Sequence, residues 1–259
     1  MRAFGGRMLA FFSLLLPGPR AFGAWVAKPP RVAIDGSGGL VIFERDFKSG
    51  GVSVTVRVAA FDDRRHTLRV VDNPASARVT LADAMRRAGC DAGVNGGFFH
   101  ADWTPLGLLV SAGRLIHPME RAKLLSGVLA VTRERPLLLR YAEYRLGPQT
   151  RDGLQAGPFL VDRGTAVFGL KNRRRERRTA VATDGHHRWA IIATGPVGLS
   201  DLAAILAGDE SAAGFKVARA LNLDGGSSTA FWAVGAEGIG CAEVGFVRNF
   251  VAVVKREKP

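Results

Sequence analysis

Two cysteines in 259 residues, Cys90 and Cys241, are too few for a disulfide framework. They could be joined in an exported protein or stand as two free thiols, and no Cys/His spacing reads as a zinc site. Acidic residues are scarce as well: 23 Asp and Glu face 36 Lys and Arg, for a net charge of +13. That charge comes without zinc-finger spacing, an aromatic RNA-binding signature or a helix-turn-helix, which argues against direct nucleic-acid recognition. The apolar run Met8–Leu16 is too short to span a bilayer comfortably. Internal repeats and low-complexity linkers are absent, so nothing divides the chain into an array or into tethered modules.

At this length the chain can bury a substantial core. Its first residues read as a targeting segment. Arg2 and Arg7 precede the apolar run, Pro17-Gly18-Pro19 breaks it, and Ala21-Phe22-Gly23 offers small residues at signal-peptidase spacing. Residues 1–23 are therefore expected to be a signal peptide or, given Arg20 beside the cleavage point, an uncleaved N-terminal anchor. Either implies export to the periplasm or the exterior. The folded domain is expected over 31–257. The densest charge is Lys171–Arg178, KNRRRERR, which serves as a solvated loop or as an attractor of anions.

Periodicity gives mainly strands. Leu40–Phe43, Val52–Phe61 and Leu68–Val71 come first, and Val52, Val54, Val56 and Val58 alternate with polar residues. Thr80 is expected to cap a helix over Leu81–Ala88, closed by Gly89. Ala92–Asn95, Leu106–Val110, Arg114–Ile116, Gly127–Val131 and Pro136–Tyr141 follow as strands. Gln155–Val161 is an irregular approach to another. Thr179–Thr183 and Trp189–Thr194 form a hairpin whose tip holds His186 and His187, a turn rather than a ligand pair. Ser200 is expected to cap a second helix through Leu206, and Phe250–Val254 ends the fold. Strands with two short helices, not in alternation, predict a single α+β domain with the helices packed on mixed sheets.

Two glycine motifs stand out. Ala220–Trp232 reads ALNLDGGSSTAFW: apolar residues lead in and out of Asp224, Gly225, Gly226, Ser227, Ser228 and Thr229. Glycine accepts φ > 0 and leaves room for a ligand against the backbone, so amides and hydroxyls can converge on an anionic oxygen. An ordinary hairpin turn also uses Asp-Gly or Gly-Gly, but does not need Asn222 before the Asp or three hydroxyls after the glycines. Ala92–Phe99, AGVNGGFF, repeats the pattern with Asn95, Gly96 and Gly97. The two stretches read as two walls of one site.

These motifs resemble the phosphodiester glycosidase family. The matching pieces, in order, are Asn95-Gly96-Gly97-Phe98-Phe99, Pro105 and Gly107, and Gln155-Ala156-Gly157-Pro158. Then come Arg178-Thr179-Ala180-Val181, Gly198-Leu199-Ser200, Asn222–Thr229 and Arg248-Asn249-Phe250. The match runs from about Gly89 to the C-terminus. The chain departs from the family in lacking a third glycine before the serines, a glycine near Ala182 or Thr183, and the cysteine-rich regions of the animal enzyme. The resemblance implies hydrolysis of a sugar-1-phosphodiester between the anomeric carbon and the phosphate oxygen; with export, the expected substrate is an envelope glycan or glycolipid. It implies Asp224, Asn95 and Arg178 as catalytic residues. Gly96, Gly97, Gln155, Thr179, Gly225, Gly226, Ser227, Ser228 and Arg248 are the expected substrate contacts, with no metal or cofactor.

Chemistry favours the same assignment. Glycosidases generally need two carboxyl groups because an alcohol leaving group must be protonated. A phosphate leaves as an anion, so one carboxylate with amide and cationic stabilisation can suffice. Asp224 is the only acid within the two motifs. It is assigned as base or nucleophile, Arg178 as phosphate clamp, and Asn95, Ser227 and Ser228 as groups that orient sugar or phosphate oxygens. A divalent cation on Asp224 is conceivable, but one carboxylate is a poor donor set. Two other readings remain. A non-catalytic module could bind anionic polysaccharide through the basic surface, though it has no use for a carboxylate within an anion site. A plain glycosidase would need a second acid, with His100, Asp102 and Glu243 nearest by motif.

Overall fold

A computed structural model describes residues 24–208, 212–236 and 238–256. The expected leader at 1–23 lies outside the described residues. Within them no helix is long and apolar enough to cross a membrane.

The described chain is mostly β. Three sheets of nine, five and four strands carry two α-helices, α1 (Leu81–Arg87) and α2 (Leu199–Ala207). Strand-rich with short helices holds, but α+β is a loose description of so little helix. The sheets are also not mixed, because every described pairing is antiparallel. Parallel neighbours need long crossovers, usually helical, and this chain mostly returns through turns.

The centre of the largest sheet runs Val41–Ser49, Val52–Asp62, Arg188–Val197, Glu176–Thr183, Arg219–Asn222 and Phe159–Asp162. Alternation along it feeds two cores. Ala180 and Ala182 face α2 together with Val56, Val58 and Ile192. Val181 faces the other way, packing with Val94, Leu129, Leu221 and Val251 from all three sheets. This explains why the alternation of Val52–Asp62 fades: Val58 and Ala59 are both buried, one in each core.

The four-stranded sheet orders Phe231–Ala233, Ala92–Asn95, Asn249–Lys255 and His66–Asp72. Its central strands end in Asn95 and begin at Asn249, and they deliver the first glycine motif to Thr179 and Asp224 at the ends of two interior strands of the large sheet. Thr80 caps α1 as expected, its hydroxyl accepting from Asp83 N. Ser200 does not cap α2. Gly198 occupies the cap position, and Asn172 Oδ1, from the basic loop, accepts from Ser200 N at 2.9 Å and Asp201 N at 3.1 Å.

Candidate active site

The two glycine motifs meet. Asp224 N donates to Gly96 O at 3.0 Å, and Gly96 N donates to Asn249 O at 2.8 Å. Asn95 joins them from beneath with 0% exposure. Its Oδ1 accepts from Thr179 Oγ1 at 2.6 Å and Ala230 N at 3.1 Å, while Nδ2 donates to Asp224 O at 2.8 Å. One amide thus ties the Ala92–Asn95 strand, the Glu176–Thr183 strand and both ends of the Asp224–Thr229 loop. Its polar groups are all committed, so it holds the loop in place. Thr179, fully buried, completes the same joint.

Close packing, rather than a turn, requires Gly96. A Cβ there would overlap Asn249 Oδ1, the same atom that accepts from Gly97 N at 2.7 Å. Gly225 is constrained likewise, since its Cβ would lie 2.9 Å from Arg177 O. Gly226 has φ +65°, which glycine adopts without strain.

Asp224 itself is partly buried. Its Oδ1 accepts from Gly225 N at 2.8 Å, and the Ser228 hydroxyl beside the carboxylate also favours its charged form. Burial pushes its pKa up, against the pull of those two donors. Ser227 is exposed beside it. Thr229 Oγ1 is buried with no hydrogen-bond partner.

Two adjacent arginines divide the cationic role. The pairing of Glu176–Thr183 with Arg188–Val197 shifts register between Glu176 and Arg178. Such a bulge re-aims side chains, and here Arg177 turns onto the loop. Its guanidinium donates to Gly226 O, Ser227 O and Ala242 O at 3.1, 3.2 and 3.0 Å. Arg178 donates through Nε to Val197 O and one terminal nitrogen to Arg174 O. Its other terminal nitrogen, Nη1, lies 3.7 Å from Glu176 Oε2 and 3.8 Å from the Cβ position of Gly225. Burial lowers the Arg178 pKa. Asn95 and Arg178 therefore both approach the Asp224–Gly225 segment. Arg173, Arg174 and Arg175 are exposed.

Two expected contacts are committed elsewhere. Gln155, 0% exposed, accepts through Oε1 from Leu108 N and Glu120 N and donates through Nε2 to Glu120 O. It pins the 118–125 loop, and a Cβ on Gly107 would come within 2.7 Å of it. Arg248, buried, pairs with Asp72. Of the acids weighed as a second carboxylate, Glu243 accepts from Leu81 N at the start of α1 and Asp102 from Thr104 N. Glu176 is an acid beside the loop instead, its Oε2 3.7 Å from the Cβ position of Gly226. Arg177, Glu176 and Asn249 escaped the sequence reading as site residues. Asn249 had a signal in Arg248-Asn249-Phe250, whereas the bulge that places the other two had none.

Among the described residues, Asp62, Asp63 and His187 cluster closely enough to receive a cation. They are already matched: Arg64 donates to Asp62 and holds its pKa at about 2, His187 Nδ1 lies 2.7 Å from Asp63, and Arg135 lies 3.8 Å away. The cluster sits at the hairpin tip, away from Asp224.

The chain matches the phosphodiester glycosidase family over residues 88–253, and it belongs to that family of glycosidase-type hydrolases. Among solved structures it is similar to the catalytic domain of zebrafish N-acetylglucosamine-1-phosphodiester alpha-N-acetylglucosaminidase, auto-inhibited by its pro-peptide. The TM-score is 0.62 at 14% identity, covering 92% of this chain and 86% of that one. A hypothetical protein from Synechocystis gives 0.62 at 19% identity, covering 88% of this chain. The chain spans 64% of that protein's length. At such identities the likeness is one of fold. No curated protein matches the chain.

Proposed function

We propose that this protein is an exported hydrolase that cleaves a sugar-1-phosphodiester between the anomeric carbon and the phosphate oxygen, on an envelope glycan or glycolipid. The observation that carries the reading is Asp224. It is a carboxylate at the meeting point of both glycine loops, oriented by Gly225 N and Ser228, with its pKa raised by burial. A carboxylate so raised is a better proton acceptor near neutral pH than an exposed one.

In the proposed reaction the bond from C1 to the phosphate oxygen breaks and its electron pair leaves with the phosphate. Water supplies the new hydroxyl on C1. Asp224 takes the water's proton directly, or first forms an ester with C1 that water then opens. The phosphate departs without a proton, so Arg178 Nη1 stabilises the developing charge. Ser227 and Ser228 orient sugar or phosphate oxygens, and Asn95 keeps the loop in place. The likeness to the zebrafish enzyme supports the fold on which this chemistry is drawn, and the family supports its class.

A panel of sugar-1-phosphodiesters tests it, with free sugar and phosphomonoester measured together. Stoichiometric release of both from at least one member is expected. Binding of anionic polysaccharide with no release from any member would replace the enzyme by a binding module. Export is tested by N-terminal sequencing of protein recovered outside the cytoplasm.

A further inference from the structure

At the far end of the hairpin from Arg178 lies a cavity of about 400 Å³. Arg178 pairs with Thr194 and the cavity begins at Arg188. Six residues of strand put it roughly 20 Å from the glycine loops. Val41, Phe43 and Arg45 project into it from one face of their strand, Ala60 pairs with Val41 beside them, and Phe215 covers them. Gly214, with φ +78°, lets the covering segment approach the Phe43 ring, which a Cβ would meet at 3.4 Å.

The walls are largely apolar, but two arginines are among the lining residues, the half-buried Arg45 and the exposed Arg188. Arg45 Nε is buried and has no hydrogen-bond partner. The acids nearest it in sequence are engaged: Arg31 lies 2.7 Å from Glu44 and 3.4 Å from Asp46. Asp62, also on the wall, is matched by Arg64. Among the described residues neither Arg45 nor Arg188 has a carboxylate partner. A buried charged donor left unsatisfied is costly and in a native protein calls for an acceptor. An apolar cavity of this volume with a few convergent polar groups has the anatomy of a small-molecule site.

We propose that this cavity is a second binding site, for a small amphipathic anion: an apolar body that carries one carboxylate or phosphate. The body fills the space between Phe43, Ala60 and Phe215, and the head accepts from Arg45 Nε and Arg188. The proposal does not depend on the reaction at Asp224.

Calorimetric titration of the whole protein with octanoate, octyl phosphate and octanol tests it. Both anions should bind one per chain, and octanol at least ~10-fold more weakly, about 1.4 kcal/mol. The tighter of the two anions identifies the head group. Arg45→Gln should weaken the anions ~10-fold or more and leave octanol unchanged, and Ala60→Phe should abolish all three by filling the space. A melt checks that each variant folds; if Ala60→Phe does not, the Arg45→Gln, Arg188→Gln double variant decides. Equal affinity for octanol and octanoate, anion binding untouched by loss of both arginines, or no saturable binding would each overturn the proposal.

Discussion

The two glycine loops are alike in sequence and opposite in condition. Each has an apolar approach, one polar residue and a Gly-Gly pair, yet Asn95 is sealed while Asp224 retains partial exposure. Every polar group of the Asn95 side chain is bonded to another part of the fold. The Asp224 carboxylate bonds only within its own loop, and burial works against its charge. The first loop is the fixture and the second is the part it holds. Strain against a charge is tolerated where the surrounding structure over-determines it, and Asn95 supplies that determination.

Damage to the fixture should be the largest effect. Asn95→Ala removes three hydrogen bonds and leaves a buried hydroxyl, an amide and a carbonyl without partners. At about 1–3 kcal/mol for each unsatisfied group, the loss should exceed about 3 kcal/mol. A chemical-denaturation curve reads it. A variant that lost activity with its midpoint unmoved would place Asn95 in the chemistry and erase the contrast between the loops.

Asp224→Asn should do the reverse. The amide can still accept from Gly225 N and meet Ser228, so the fold should hold while kcat falls at least ~10². The stability effect has a sign. A carboxyl whose folded pKa is raised binds its proton more tightly in the folded state. The wild type therefore loses stability as pH rises from the unfolded pKa through the folded one. The asparagine variant lacks that loss, so its melting temperature relative to wild type should climb with pH across the acid range. A relative melting temperature that fell instead would show the carboxylate stabilising the loop, as in a structural turn.

The neighbouring arginines sharpen the contrast within one strand. Arg178→Ala should lower kcat and kcat/KM together by ~10-fold or more, as when a transition-state charge contact is lost. Arg177→Ala frees two loop carbonyls and that of Ala242 and should act less, through a looser loop, with KM rising. Steady-state kinetics on one activated substrate separates the two, and identical profiles would mean that both arginines merely brace the loop.

What the sequence disclosed and what it hid divide along physical lines. Glycines with no room for a Cβ, such as Gly96 and Gly225, leave a mark in any sequence, and so do the alternating valines of Val52–Asp62. Gln155 resembled a site residue because its type and motif fit a ligand contact. Its actual partners are backbone groups of the 118–125 loop, and nothing local announces such a contact. The cap of α2 comes from Asn172, almost thirty positions upstream, which left Ser200 the natural local candidate. Arg177 differs from its basic neighbours only through a bulge, a property of pairing between strands.

The smallest expected effect belongs to the exposed part of that same basic run. Arg173, Arg174 and Arg175 are exposed, and the Arg174 contact with Arg178 runs through the Arg174 carbonyl, which any residue supplies. Arg174→Ala should therefore leave kcat and the melting temperature within error. What remains is a charge near an anionic substrate's approach, felt over about a Debye length, roughly 10 Å at 0.1 M salt and 30 Å at 0.01 M. The variant should lower kcat/KM about two- to threefold at low salt, with the difference vanishing by roughly 0.5 M. If the deficit persisted at high salt, Arg174 would touch the substrate. The boundary between solvated and working arginines would then lie four residues before Arg178.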